Sequence, residues 1–222
     1  MKYYDYCVKP ESDLKNLVEM AKKLGWYGLV IISDKEIKKN KFGLEGIDVA
    51  LGVEIKPKNA FELKQKLRKL RRKREIIIVQ GGDIEINRMI VKMPEVDILS
   101  KPFGDENSGL DHVICKLAKE NNVAIEFCIG DIIHSYKTSR VDIFSKMVRD
   151  AKLVRKYKAP FVITSRAVSE WDLRSPSEFI SFGRLLGFQM NEVKDAISDK
   201  ILKENRKRLS PNWIIPGVEI EK

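Results

Sequence analysis

Histidine and cysteine are scarce in this 222-residue sequence. Its two histidines, His112 and His134, stand alone with no H-x-H or H-x-x-x-H spacing, so no hydrolytic metal site is readable. Cys7, Cys115 and Cys128 are odd in number and far apart, which excludes both a disulfide framework and a zinc ribbon and fits a reducing compartment. None carries a nucleophile signature, and Cys115 and Cys128 read as core thiols. No apolar run approaches the roughly 20 residues that span a bilayer, and the opening MKYYDYCVKPESD lacks the apolar centre of a signal peptide. The expectation is a soluble cytoplasmic protein with no membrane partner. Repeats, low-complexity tracts and interdomain linkers are also missing, so residues 1–222 are expected to form one domain.

What is abundant is positive charge. Lys and Arg number 42 against 32 Asp and Glu, a net +10, which favours polyanionic partners through summed field and counterion release. The segment Glu62 to Arg74 alone carries Lys64, Lys66, Arg68, Lys69, Arg71, Arg72, Lys73 and Arg74, all clear of a Leu63, Leu67, Leu70 stripe. Placement of cations near a helix C-terminus accounts for some of these, at roughly a few tenths of a kcal/mol each; phosphate attraction accounts for the excess at least as well. Weaker basic faces recur from Lys146 to Lys158 and from Lys200 to Arg208.

Strand-like Val/Ile/Leu runs alternate with helical patterns along the chain. The strand candidates are 3–8, 28–33, 49–55, 75–80, 97–100, 123–128, 160–164 and a minimal last one, 188–190. Between them lie apolar stripes at helical spacing, such as Leu14, Leu17, Val18, Ala21 and Leu24, and Val141, Phe144, Val148, Ala151 and Val154. Ser108 with Asp111 signals one helix start. Ser175-Pro176-Ser177-Glu178 is a capping box with proline at the first helical position, and Asn191 can cap a helical C-terminal region at about 191–210. Continuous apolar strands need cover on both faces, and helices between them imply right-handed crossovers. The pattern predicts a TIM-barrel-like, closed eight-stranded parallel α/β barrel, with an open doubly wound sheet as the alternative. At 222 residues the chain is short for a barrel, and the Lys-rich stretch from Ser33 to Asp48 is where a helix would be abbreviated.

Gly81-Gly82-Asp83 follows the run Ile76 to Val79 but matches neither the dinucleotide nor the P-loop fingerprint. The glycines read as a turn and Asp83 as an N-cap, leaving Arg88 beside Asn87 on a helix flank, either solvated or placed for an RNA phosphate. Asp5, Glu54 and Glu126 lie on strand candidates and can be read as acid and base or as structural partners of lysine and backbone amides. Arg174 stands just before a helix N-terminus, a position suited to an anion or to pairing with Asp172 or Glu178.

Three stretches resemble one family: SGLDHVICKLAKENNVAIEF (108–127), KLVRKYKAPFVITSRA (152–167) after Arg140, and WDLRSPSEFISFGRLLGF (171–188), with Asn87-Arg88 and VDILSKP before them. They are similar to the archaeal ribonuclease P protein component 3, counterpart of the eukaryotic thirty-kilodalton subunit. The resemblance implies a barrel fold serving as a non-catalytic subunit of an RNA-based enzyme that removes the 5′ leader from precursor tRNA, active only within the holoenzyme. It implies ribonuclease P RNA, precursor tRNA and a second protein subunit in a heterotetramer of two plus two as partners, and no cofactor. It also implies RNA contacts at Arg88, Arg174 and Lys194, with Arg140 and Lys101 added, and no catalytic or metal-binding residue. The family looks distantly related to polymerase-and-histidinol-phosphatase (PHP) barrels, whose first strand carries D-x-H-x-H; here Cys7 and Lys9 stand in the histidine places, and Arg166 stands where a small residue is more usual. The alternative is a stand-alone PHP-like metal-dependent phosphoesterase built on Asp5, Glu54 and Glu126; a general RNA-binding protein is the third reading.

Overall fold

The computed structural model describes residues 1–11, 14–34, 46–103, 109–215 and 218–219. Seven strands make one parallel sheet in chain order: β1 (Tyr4–Val8), β2 (Gly28–Ile32), β3 (Asp48–Ile55), β4 (Ile76–Gln80), β5 (Ile98–Ser100), β6 (Ala124–Cys128) and β7 (Phe161–Thr164). The covering helices are α1 (Leu14–Lys23), α2 (Ala60–Leu70), α3 (Ile84–Val91), α4 (His112–Glu120), α5 (Ile129–Ile133), α6 (Lys137–Tyr157), α7 (Pro176–Leu185), α8 (Met190–Ala196) and α9 (Lys200–Leu209). A short hairpin, β8 (Trp213–Ile215) with β9 (Val218–Glu219), follows. None of the described helices is long and apolar enough to cross a membrane.

The helix starts follow local chemistry. Asp83 caps α3 by accepting from Ile86 N at 2.9 Å, and Ser175 caps α7 in the expected capping box with Glu178. Asp111, rather than Ser108, caps α4, accepting from Ile114 N at 2.8 Å; Ser108 lies outside the described residues, as do residues 35–45 of the expected shortened connection. Gln189, not Asn191, caps the C-terminal helical region, which consists of α8 and α9.

Among the described residues the parallel sheet has seven strands, not the expected eight. Phe188 and Gln189 form the connection between α7 and α8, and Met190 is already helical. Gly187, at φ +93°, ends α7 in the left-handed region, and Phe188 then turns inward to stack on Phe161 at 3.9 Å and meet Phe127 edge-on. Its apolarity serves an aromatic cluster, which in sequence is indistinguishable from a two-residue strand.

The sheet nevertheless curls round until β7 lies against β1. Instead of an eighth strand, side-chain and loop bonds close the seam: Ser165 N donates to Asp5 Oδ1 (3.2 Å), Lys9 N to Ala167 O (2.8 Å) and Tyr4 N to Ile197 O (2.7 Å). Tight passage between β1 and β3 requires Gly28, where a Cβ would sit 2.2 Å from the Tyr4 ring.

Two apolar layers result. The outer one lies between sheet and helices, and the inner one fills the barrel with Tyr4, Tyr6, Val30, Ala50, Ile76, Ile78, Ile98, Ala124 and Val162. Side chains alternate across a strand, so the same parity that puts Ala50, Ile98, Ala124 and Val162 inside brings Glu54, Ser100, Glu126 and Thr164 inside at the C-terminal ends. The barrel is thus greasy at the N-terminal end and polar at the other. Helix α9 plugs the greasy end: Leu202 enters the inner cluster, Tyr6 Oη donates to Ser198 O (2.5 Å), and Arg206 reaches Asp48 (2.5 Å) and Glu75 (2.6 Å) at the strand starts.

Candidate nucleic-acid interface at the barrel mouth

Barrels of this class build their sites where strands end, and here that end is closed by charge. Arg166 follows β7 with φ +54°, a left-handed conformation costly for a residue with a Cβ and held by its surroundings. Its Nη2 donates to Glu54 Oε1 at 2.7 Å and Glu126 Oε2 at 3.0 Å, while Nε donates to Glu126 Oε1 at 3.0 Å. Thr164 Oγ1 donates to Glu126 Oε1 (2.7 Å), Ser100 Oγ to Glu54 Oε1 (3.3 Å), and Lys9 Nζ bonds Glu54 Oε2. Two carboxylates face two cations, and the group is neutral.

The protonation states follow. Burial pushes the Glu54 carboxyl up, but Arg166 and Lys9 outweigh it and hold it below the usual carboxylate range. Burial likewise opposes the charge on Arg166, and Glu126 and Glu54 more than restore it, raising its pKa. Asp5 differs: fully buried, it is pushed up to about 7 by desolvation, against hydrogen bonds from Ser165 and Cys7, and its Oδ2 has no partner. Burial also drives the Cys7 and Cys128 thiols well above their ordinary range and Cys115 up to about 12, so none is a thiolate nucleophile near neutrality.

This arrangement does not fit a catalytic metal. In the PHP-like reading Glu54 and Glu126 would be ligands, yet a guanidinium lies between them and the Lys9 ammonium takes the remaining oxygen. Among the described residues no three His, Cys, Asp or Glu side chains converge as a ligand set. The same bridge pairs Glu54 and Glu126 with Arg166, and Glu54 with Lys9 as well.

Of the basic residues expected to meet RNA, Lys101 lies just past β5, Arg174 in the connection before α7, and Arg88, Arg140 and Lys194 on α3, α6 and α8. Lys101 is exposed just past β5, and its charge, with that of Arg166, reaches Asp131 on α5, where burial holds that carboxyl above its ordinary range. Arg140 is exposed in the first turn of α6, its Nε on Ser135 O (2.8 Å) and its guanidinium over the Tyr136 ring. Arg174 Nη1 donates to Trp171 O (2.8 Å) and Leu173 O (2.7 Å), with Glu178 at 4.0 Å; Asp172 instead bonds Ser169 and His134. The His134 Nε2 to Asp172 Oδ1 contact, 3.2 Å, ties the loops carrying Arg140 and Arg174 together. Exposed Tyr136 and Trp171 flank that tie, and neither was singled out by the sequence pattern.

Arg88 lies on α3, half exposed and paired with Asp111, the cap of α4. Its neighbour Asn87 is fully buried: Oδ1 accepts from Gly82 N (3.2 Å), and Nδ2 donates to Pro102 O (2.5 Å) and Gly109 O (2.8 Å). One amide thereby fixes the loops after β4 and β5, on which Arg88 and Lys101 depend for position. Lys194 is the outlier, half-buried on α8 rather than on a loop after a strand. Arg166 and Lys9, which dominate the mouth, are what sequence reasoning did not resolve; the available signals were an arginine where the family more usually has a small residue and a lysine in a histidine place of the PHP motif.

A protein from Methanosarcina mazei, ribonuclease P protein component 3, is 35% identical over 229 residues, covering 98% of this chain and 95% of that one. A chain in the cryo-EM structure of an archaeal ribonuclease P with mature tRNA superposes with TM-score 0.85 at 28% identity, covering 98% of both. Histidinol phosphate phosphatase from Lactococcus lactis, solved with Zn, L-histidinol and phosphate, shares the barrel fold alone, with TM-score 0.57 and 11% identity over 85% of this chain and 95% of that one. The description RNase P subunit p30 matches residues 2–210, and this chain belongs to that family.

Proposed function

We infer that the chain is a non-catalytic protein subunit of ribonuclease P, holding the catalytic RNA through its basic residues while the RNA performs precursor-tRNA cleavage. The observation that carries the reading is the bridge from Arg166 to Glu54 and Glu126, which among the described residues engages the carboxylates that a metal or an acid and base pair would use. Arg88, Arg174, Arg140, Lys101 and Lys194 supply the phosphate contacts, and Tyr136 and Trp171 add aromatic faces beside two of them. Such contacts give affinity and orientation without base-sequence choice, the requirement for holding an RNA of fixed shape. The proposed partners are ribonuclease P RNA, precursor tRNA through the holoenzyme, and a second protein subunit in a heterotetramer of two plus two.

The test is purification of tagged chain from native cells, followed by cleavage assays with and without nuclease treatment. The reading expects ribonuclease P RNA to co-purify and all 5′-leader removal to vanish when that RNA is digested. Phosphoester hydrolysis that survives digestion and stops with chelator would contradict it.

A further inference from the structure

Although Lys66, Lys69 and Arg74 of the basic segment 62–74 border a pocket with Glu54, the C-terminal end of α2 in that segment leads to the N-terminal end of the barrel, opposite the mouth. There Arg68, Arg71 and Arg72, at spacings of three and four that bring them to one side of a helical turn, face Arg208, Leu209, Ser210 and Trp213 across a cleft of about 820 Å³. Four arginines share this space, and their commitments differ. Arg71 is held by Asp97 (2.7 Å) and Asn205 (3.5 Å). Arg68 and Arg72 are exposed. Arg208 has its Nε and Nη2 shut away from solvent with no hydrogen-bond partner, and burial together with the Arg71 charge pushes its pKa down to about 10.

Helix C-termini favour cations, which accounts for arginines near the ends of α2 and α9. That effect does not supply an acceptor for two buried guanidinium N–H groups, and buried donors of this kind are as a rule satisfied. No acceptor for these groups is found among the described residues, and an anion entering the cleft would both supply one and offset the Arg71 charge that Asp97 only partly balances. A planar guanidinium fork matches phosphate oxygens two at a time, and Trp213 offers a flat wall for the attached nucleotide. Exposed Arg68 and Arg72 extend the charge along the cleft edge, which suits the neighbouring phosphates of a chain better than one isolated carboxylate.

We propose that Arg68, Arg72, Arg208 and Trp213 form a second RNA-backbone site at the end of the barrel opposite the mouth, with Arg208 gripping one phosphodiester group. The proposal rests on the RNA-binding function inferred above and adds a separate face to it.

Binding of the full chain to ribonuclease P RNA over a salt series tests it, comparing the parent with R68A/R72A, R208Q, R208K and, as reference, R88A/R174A. Each phosphate contact contributes about 0.7–0.9 to the slope of log affinity against log salt, so R68A/R72A should flatten the slope by about 1.4–1.8. R208K should keep the slope and lose affinity, since it retains the charge without the fork. Because Arg208 is partly buried, the exposed pair Arg68 and Arg72 decides the outcome if R208Q melts early. An unchanged slope in R68A/R72A while R88A/R174A flattens it would overturn the second site and leave the mouth reading standing; no change in either pair would remove both. Loss of a bound protein with RNA affinity intact, or saturation of the cleft by inorganic phosphate without effect on RNA binding, would also overturn it.

Discussion

Arg166 donates to both oxygens of Glu126 inside the barrel, and the Nη2 that bonds Glu126 Oε2 also donates to Glu54 Oε1 at 2.7 Å. Breaking such a buried pair leaves uncompensated charge, whereas replacing all members with apolar groups of similar volume can be neutral. Arg166→Met is expected to destabilise the chain by about 3–5 kcal/mol, read from urea unfolding, and the added changes Glu54→Gln and Glu126→Gln should recover part of the loss. A loss below about 1 kcal/mol would show that the bridge does not hold the mouth.

Asp5 gives stability a characteristic pH dependence. Its folded pKa, about 7, lies above the ordinary 3.8, so between those values the folded state binds the extra proton and stability falls as pH rises. The fall is at most about 1.4 kcal/mol per pH unit for one proton, and Asp5→Asn should flatten it. Glu54 acts with the opposite sign: its depressed pKa adds stability at neutral pH that is lost as acid protonates it. Melting temperatures at pH 5, 6 and 7 for parent and Asp5→Asn check the first effect, and parallel curves would refute it.

Asn87 is expected to matter beyond its own bonds. Asn87→Ala leaves Pro102 O, Gly109 O and Gly82 N without their partner, a cost of about 2–3 kcal/mol in thermal or urea unfolding. It should also weaken RNA binding, because Arg88 and Lys101 flank the loops it joins. Gly109→Ala tests the same junction from the other side, since a Cβ there would meet Pro102 O at 1.5 Å.

Ser175→Ala removes the N-cap of α7 and one side of its capping box, with a loss of about 1 kcal/mol expected. Limited proteolysis should then cut the Trp171–Arg174 loop faster than in the parent.

Much of this architecture was legible because backbone demands are local. Asp83, Pro176 and Glu178 announce helix starts by chemistry that needs no tertiary information, and the buried strand runs announce themselves by composition. Phe188 misled because an aromatic in a core cluster and a short strand present the same apolar letter. Of the candidate RNA contacts, Arg140 and Arg174 are expectations from the family resemblance and Lys101 from its place at a strand end. The mouth was not legible, since Lys9, Glu54, Glu126 and Arg166 come from four distant segments, and only barrel closure reveals that their charges cancel.

The most direct measurement is precursor-tRNA cleavage by ribonuclease P reconstituted with Arg88→Ala plus Arg174→Ala. Both side chains are partly exposed, so the variant should fold normally. The expected result is reduced cleavage that recovers as salt is lowered, because RNA binding tightens at low salt for the variant as well, though along a shallower slope than the parent's. Cleavage equal to the parent's at every salt concentration would contradict the claim that this chain serves the enzyme by holding its RNA.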